Sequence, residues 1–163
     1  MPTISACPTW AWASSTTSST AATASSPSAS MRPGEDMEAE MRREGVPLWG
    51  LETAARCASS TSLASPSEYE LTYSNVVNML DLGGIPIRAR DRGDEHPLVI
   101  AGGSGAFNQR PLSAFIDAFV LGEGEDAVVE LAERVASWKR ERTPRGRRLR
   151  DLLSMPGVYV LIL

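Results

Sequence analysis

Residues 97–125, PLVIAGGSGAFNQRPLSAFIDAFVLGEGE, constrain the fold more tightly than any other stretch of the chain. Two short apolar runs, Leu98–Ala101 and Ala118–Leu121, each empty into glycines and then into a helix-forming segment. A continuous aliphatic run closed by turn residues is the pattern of a strand buried on both faces. Two such strand–glycine–helix units in succession predict an open α/β sheet of parallel strands. In sheets of that kind ligands gather at the carboxyl ends of the strands. Gly102, Gly103 and Ser104 would stand at the first such end, and Gly122, Glu123, Gly124 and Glu125 at the second. These seven are the candidate cofactor-binding residues.

A chain of 163 residues holds one domain with a sizeable core. Its net charge of −4 argues against generalised nucleic-acid binding. No apolar run has the length to span a bilayer, and the start lacks the charged and apolar regions of a secretory signal. Cys7 and Cys57 are far apart and form neither a disulfide framework nor a metal-ligand spacing. The expectation is a cytoplasmic protein whose partners include neither membrane nor nucleic acid.

Along the chain, residues 1–32 are dominated by Ser, Thr and Ala and read as a disordered low-complexity segment. A second patch of the same character, Ala54–Ser67, falls inside what should be folded protein. Between them Glu35–Arg43 reads as a helix, with acids early, bases late and Gly45 as a stop. Val46–Leu51 reads as a short strand or strand edge. In Tyr69–Leu82 a helix is expected to begin near Ser74 or Asn75 and to end at Gly83-Gly84. A short helix at Leu112–Phe115 and a clear amphipathic one over Glu125–Lys139 follow. Lys139–Arg150 carries seven basic residues broken by Pro144 and Gly146, and without interleaved aromatics it reads as a solvated linker. Leu149–Met155 predicts a last helical turn ahead of the apolar tail Val158–Leu163.

Catalytic signals are sparse, and no catalytic or metal-ligating residue is assigned. His96 beside Glu95 and Asp94 reads as a solvated loop cluster in the absence of a second histidine. Tyr69, Glu70, Tyr73 and Asn75 fall at the ligand edge of the expected sheet, where they either meet a cofactor or pack the start of a helix. AGGSGAFN is a glycine-rich turn after a strand and keeps a nucleotide- or phosphate-binding module open as an alternative. It lacks the register of G-x-G-x-x-G and the Lys and Ser/Thr of a phosphate loop.

The wording of three stretches goes further than their pattern. YELTYSNVVNMLDLGGIPIRARDRGDEHPLVIAGG, FIDAFVLGEGED and the closing MPGVYV resemble the N-terminal region of a family of large radical SAM proteins. That region is a cobalamin-binding-type α/β domain of flavodoxin-like or Rossmann type, placed ahead of the radical SAM barrel. The resemblance covers about residues 33–53 and 68–159, so residues 33–160 are expected to be a partial domain of this kind. It implies a 4Fe–4S cluster and S-adenosylmethionine for the full-length protein, a small-molecule cofactor such as cobalamin at the glycine loops, and the remainder of the radical SAM protein as a partner. The chain departs from the family at Ser104-Gly105, where Pro-Cys is usual, and at Gln109-Arg110, where Pro-Glu is usual. The cluster's cysteine triplet is absent and would lie beyond Leu163.

The resemblance also bears on the Ser/Thr/Ala patches. With codons shifted to use the third base of one residue and the first two of the next, Ala6–Ala13 permits G-M-(S/P)-H-L-G-L-G, close to the family's opening GMSHLGL. The same shift over Cys57–Ser67 permits L-R-E-F-D-V-A-G-L-S-L, the strand expected just before YELTYSN. Residues 2–32 and about 55–67 are therefore read as out-of-frame translations of two strands. If both strands are lost, the middle of the core goes with them, and the chain is a truncated product without stable activity.

Overall fold

The computed structural model describes residues 32–49, 57, 62–66, 70–122 and 124–161. The low-complexity segment through residue 31, Tyr69 and Glu123 lie outside the described residues. The fold is mixed α/β. Among the described residues its sheet has four strands in the order β1 (Ser62–Pro66), β2 (Leu98–Gly102), β3 (Ala118–Val120) and β4 (Val158–Val160). β1, β2 and β3 run parallel, whereas β4 is antiparallel to β3, so the sheet is mixed rather than wholly parallel. The expectation of parallel strands holds for the first three, and the apolar tail supplies the fourth. Pro156 and Gly157 turn the chain out of the preceding helix, and the Leu121 N–H bonds the Gly157 carbonyl to set the return.

β1 stands where the shifted reading places a strand, although its residues are SLASP. Backbone pairing does not depend on side-chain identity, and Leu63 and Ala64 register against Val99 and Ile100. Pro66 cannot donate to a ladder and takes the last position of the strand.

Alternation along β2 and β3 divides the core in two, because successive side chains on a strand point to opposite faces. Val99, Ala101 and Phe119 face one way and meet Met41, Val76, Leu80, Leu82, Ile85, Leu112 and Ile116. Leu98, Ile100 and Ala118 face the other and meet Leu131, Trp138, Leu152 and Met155. Helices α1 (Glu35–Glu44) and α2 (Tyr73–Leu82) cover the first face, α3 (Gly124–Glu141) and α4 (Arg145–Leu153) the second.

α1 matches its expected bounds, with Glu35, Asp36 and Glu38 in the first turn, Arg42 and Arg43 in the last, and Gly45 closing it. α2 begins at Tyr73, slightly earlier than expected, because a 3₁₀ turn at Glu70–Thr72 leads into it and no side chain caps it. Val46–Trp49 forms no strand of the sheet. Instead the Leu48 N–H bonds the Leu82 carbonyl and fastens the segment to the end of α2. The expected helix at Leu112–Phe115 is replaced by two 3₁₀ turns, Ser104–Phe107 and Arg110–Leu112, with Pro111 at the start of the second.

The basic segment requires the largest correction. It is no solvated linker: α3 continues through Glu141 and α4 starts at Arg145, immediately after Pro144. The cations that sequence reasoning assigned to water include Arg145 and Arg148, both buried. They have found carboxylate and carbonyl partners inside the fold.

Candidate functional site

β2 and β3 are neighbours and run the same way, so the loops that follow them emerge side by side. Gly102 registers against Val120, which brings Gly102, Gly103 and Ser104 beside Leu121 and Gly122 at the carboxyl edge of the sheet. Gly124 opens α3 and Glu125 follows it in the first turn, so they belong to the same edge. The expected residues therefore converge, Glu123 aside, which lies outside the described residues.

The glycines have different reasons to be glycine. Gly103, at φ 97°, and Gly122, at φ 99°, occupy backbone conformations that side chains disfavour. Gly102 does not. A Cβ built there would approach nothing closer than Val120, at 3.8 Å, an ordinary contact. The protein's own packing thus gives no reason for glycine at 102. A Cβ at Gly122, by contrast, would meet no atom within 4 Å.

The loop after β2 is held from the side by α2. The Tyr73 hydroxyl lies 2.9 Å from the Gly105 carbonyl and 3.2 Å from the Asn108 carbonyl, sharing its one hydrogen between them. Gly105 and Ala106 are buried beneath this clasp while Phe107 projects outward. Tyr73 thus packs and anchors the loop, the blander of its two expected roles. It also lines an open groove of about 510 Å³ along α2, with Val77, Asp81, Leu112 and Phe115. That groove runs down the flank of the helix and does not include the glycines.

The amino edge of the sheet is closed. Asp117, just ahead of β3, accepts hydrogen bonds from Arg92 Nη1 at 2.9 Å, from Arg145 Nη2 and from the Val99 backbone N–H at 2.7 Å. Arg92 also donates to the carbonyls of Pro86, Ile87 and Phe115. Arg148 donates to the carbonyls of Thr143 and Asp94, and Asp94 accepts the Arg145 backbone N–H. Burial pushes the Arg92 guanidinium below its ordinary range against the opposing pull of Asp117, and burial lowers Arg148 as well. Every bond in the network ties one structural element to another. Sequence reasoning missed it, since an aspartate before a strand and arginines up to 28 positions away carry no joint signal.

His96 belongs to this closed edge, just before β2, where its Nδ1 accepts the Gly93 N–H at 3.0 Å and closes a turn. Among the described residues no group of His, Cys, Asp or Glu could hold a metal ion. Cys57 is buried. No helix among the described residues is long and apolar enough to cross a membrane.

Across residues 28–160 the chain matches the sequence model of a family described as radical SAM proteins, N-terminal. No curated protein and no solved structure matches the chain.

Proposed function

Because the chain belongs to the family of radical SAM protein N-terminal regions, we propose that it is the cofactor-holding domain of such a protein, a flavodoxin-like or Rossmann-type unit that carries cobalamin on the carboxyl edge of its sheet. The observation that carries this reading is Gly102, a glycine at the end of β2 that neither backbone strain nor internal packing requires, since an added Cβ would make only an ordinary contact with Val120 at 3.8 Å. A flat corrin lying against backbone would need such a position, where a side chain would hold it off. When bound, the group would supply a cobalt centre able to carry an alkyl group. The residues of this chain would hold it by contact alone, since the one histidine sits at the opposite edge.

The family implies a 4Fe–4S cluster and S-adenosylmethionine for its full-length members. The cluster needs a cysteine triplet, and this chain has two cysteines in all, so we assign the cluster and the radical chemistry to the remainder of the radical SAM protein. That remainder would be the partner of this domain, in the cytoplasm. We read residues 2–32 and about 55–67 as out-of-frame. The nucleotide sequence tests this directly, and the idea is lost if no shifted frame restores the two strands.

In sequence, the segments that follow β1, β2 and β3 carry Glu70, Glu123, Glu125 and Asp126 against Arg110, a poor balance for phosphate. Equilibrium dialysis of the purified chain against hydroxocobalamin and against ADP separates the two ligands. Retention of cobalamin alone is expected. Retention of ADP alone would transfer the site to the nucleotide class.

A further inference from the structure

We propose that β4 is an interface: its outer edge pairs antiparallel with β4 of a second copy of the chain, joining the two sheets across a two-fold axis. β4 ends the sheet, with β3 as its sole neighbour among the described residues. One bond sets the phase of its backbone. The Leu121 N–H donates to the Gly157 carbonyl, and that pair continues the register that sets Phe119 against Tyr159. In an antiparallel ladder hydrogen-bonded pairs alternate with non-bonded ones. Tyr159 therefore turns its backbone groups toward β3, while Val158 and Val160 turn theirs away. The Val158 N–H is drawn back to the Met155 carbonyl at 3.3 Å. The Val158 carbonyl and both backbone groups of Val160 face outward, where no strand of the described residues stands.

Such an edge is a template for another strand, and proteins ordinarily blunt it with charge, proline or a bulge. The opposite edge of the sheet carries Pro66 in β1. Residues 158–163, VYVLIL, have neither charge nor proline. Symmetry makes a second copy the fitting occupant. Two antiparallel β4 strands set Val158 of one copy opposite Val160 of the other, so each outward Val160 N–H meets a Val158 carbonyl and the bond is made twice about the axis. Tyr159 then meets itself as the non-bonded pair, with Cα atoms about 4.5 Å apart. Val158 and Val160 pack into the cluster beneath α3 and α4, so the Tyr159 side chain lies on the other face, where it is 58% exposed. Pairing covers it with a second tyrosine, a favourable cross-strand contact. An uncharged strand also lets two copies of net charge −4 meet without like charges in the ladder.

Sedimentation equilibrium of the whole chain over a concentration series tests this, and the parent should reach the mass of two copies and no more. Val160→Pro removes the outward N–H at an edge position that tolerates proline, and Tyr159→Lys sets like charges opposite each other. Each should weaken association about tenfold or more at an unchanged melting temperature. Val129→Lys, at an exposed position of α3, should associate like the parent. Tyr159→Cys places two thiols at a spacing that a disulfide spans, so mild oxidation should give a cross-link between the two copies at residue 159, read by peptide mass. That readout stands even if one of the other variants fails to fold. A parent that stays monomeric throughout the series overturns the proposal. So does a dimer that survives both substitutions or in which the cysteines do not cross-link. Masses above two copies overturn it as well, because a two-fold pairing consumes the edge that makes it.

Discussion

Gly103 holds φ 97° and ψ −178°, a region that residues with a Cβ enter only under strain, whereas its neighbour Gly102 sits in the last position of β2 with room for a methyl group. Substitution should therefore separate two glycines that look alike in sequence. Gly103→Ala is expected to cost about 1–3 kcal/mol in a denaturant titration, because the backbone must leave its conformation or strain to keep it. Gly102→Ala should leave stability unchanged or raise it by up to about 1 kcal/mol, since alanine has less conformational freedom to lose in a strand. The same variant should bind cobalamin much more weakly in dialysis. Unweakened binding would remove the argument that Gly102 is kept for a ligand. The position of the pair was legible from sequence because a glycine after an aliphatic run marks a strand end. The difference within the pair depends on dihedral angles and on the approach of Val120, neither of which the residue letters carry.

At the scale of elements, two pairs of helices are tied by different chemistry. Between α1 and α2 the ties are exposed or half-buried: Arg42 reaches Asp81 at 2.7 Å and Asn78 at 2.9 Å, and Asn78 donates to Glu38. The hydrogen bond from Asn78, followed by that from Arg42, holds the Glu38 carboxyl below its ordinary value of 4.5. A depressed carboxylate contributes stability that is present above its ordinary value and lost as pH falls through its folded value. The stability gap between the parent and Glu38→Gln should therefore be open at neutral pH and close below 4.5 in pH-dependent denaturation. The opposite case is Asp117, buried under α4 with Arg92 and Arg145 on its two oxygens. Asp117→Asn leaves two buried guanidinium groups without their counter-ion and should cost about 3–5 kcal/mol, read as a shift in denaturation midpoint. α1 and α3 could be read from the sequence because their periodicity and end charges are local. α4 could not. Its helix depends on partners at Asp117, Pro97 and Asp94, distant in the chain, and without them seven basic residues resemble a solvated run.

For the whole molecule, the two hydrophobic clusters share one sheet, with Val99 and Leu98 adjacent in β2 yet on opposite sides of it. Loss of either side should therefore be felt by the other. Leu80→Ala on the first face and Leu152→Ala on the second are each expected to cost about 2–5 kcal/mol. Both should lower the midpoint of a single transition seen alike by circular dichroism and by hydrogen exchange in β2 and β3. Two separate transitions, or unprotected strand amides, would instead favour the truncated product without a stable fold. The sequence by itself determined the strand–glycine units at 97–125, the amphipathic α3 and the convergence of the glycine loops, because each follows from local period and turn chemistry. Only the tertiary structure decided that β4 returns antiparallel, that β1 forms from SLASP, and that the basic segment folds around Asp117. Those outcomes rest on backbone pairing and charge neutralisation between residues far apart in the chain. It also decided that the amino edge of the sheet is locked by ion pairs.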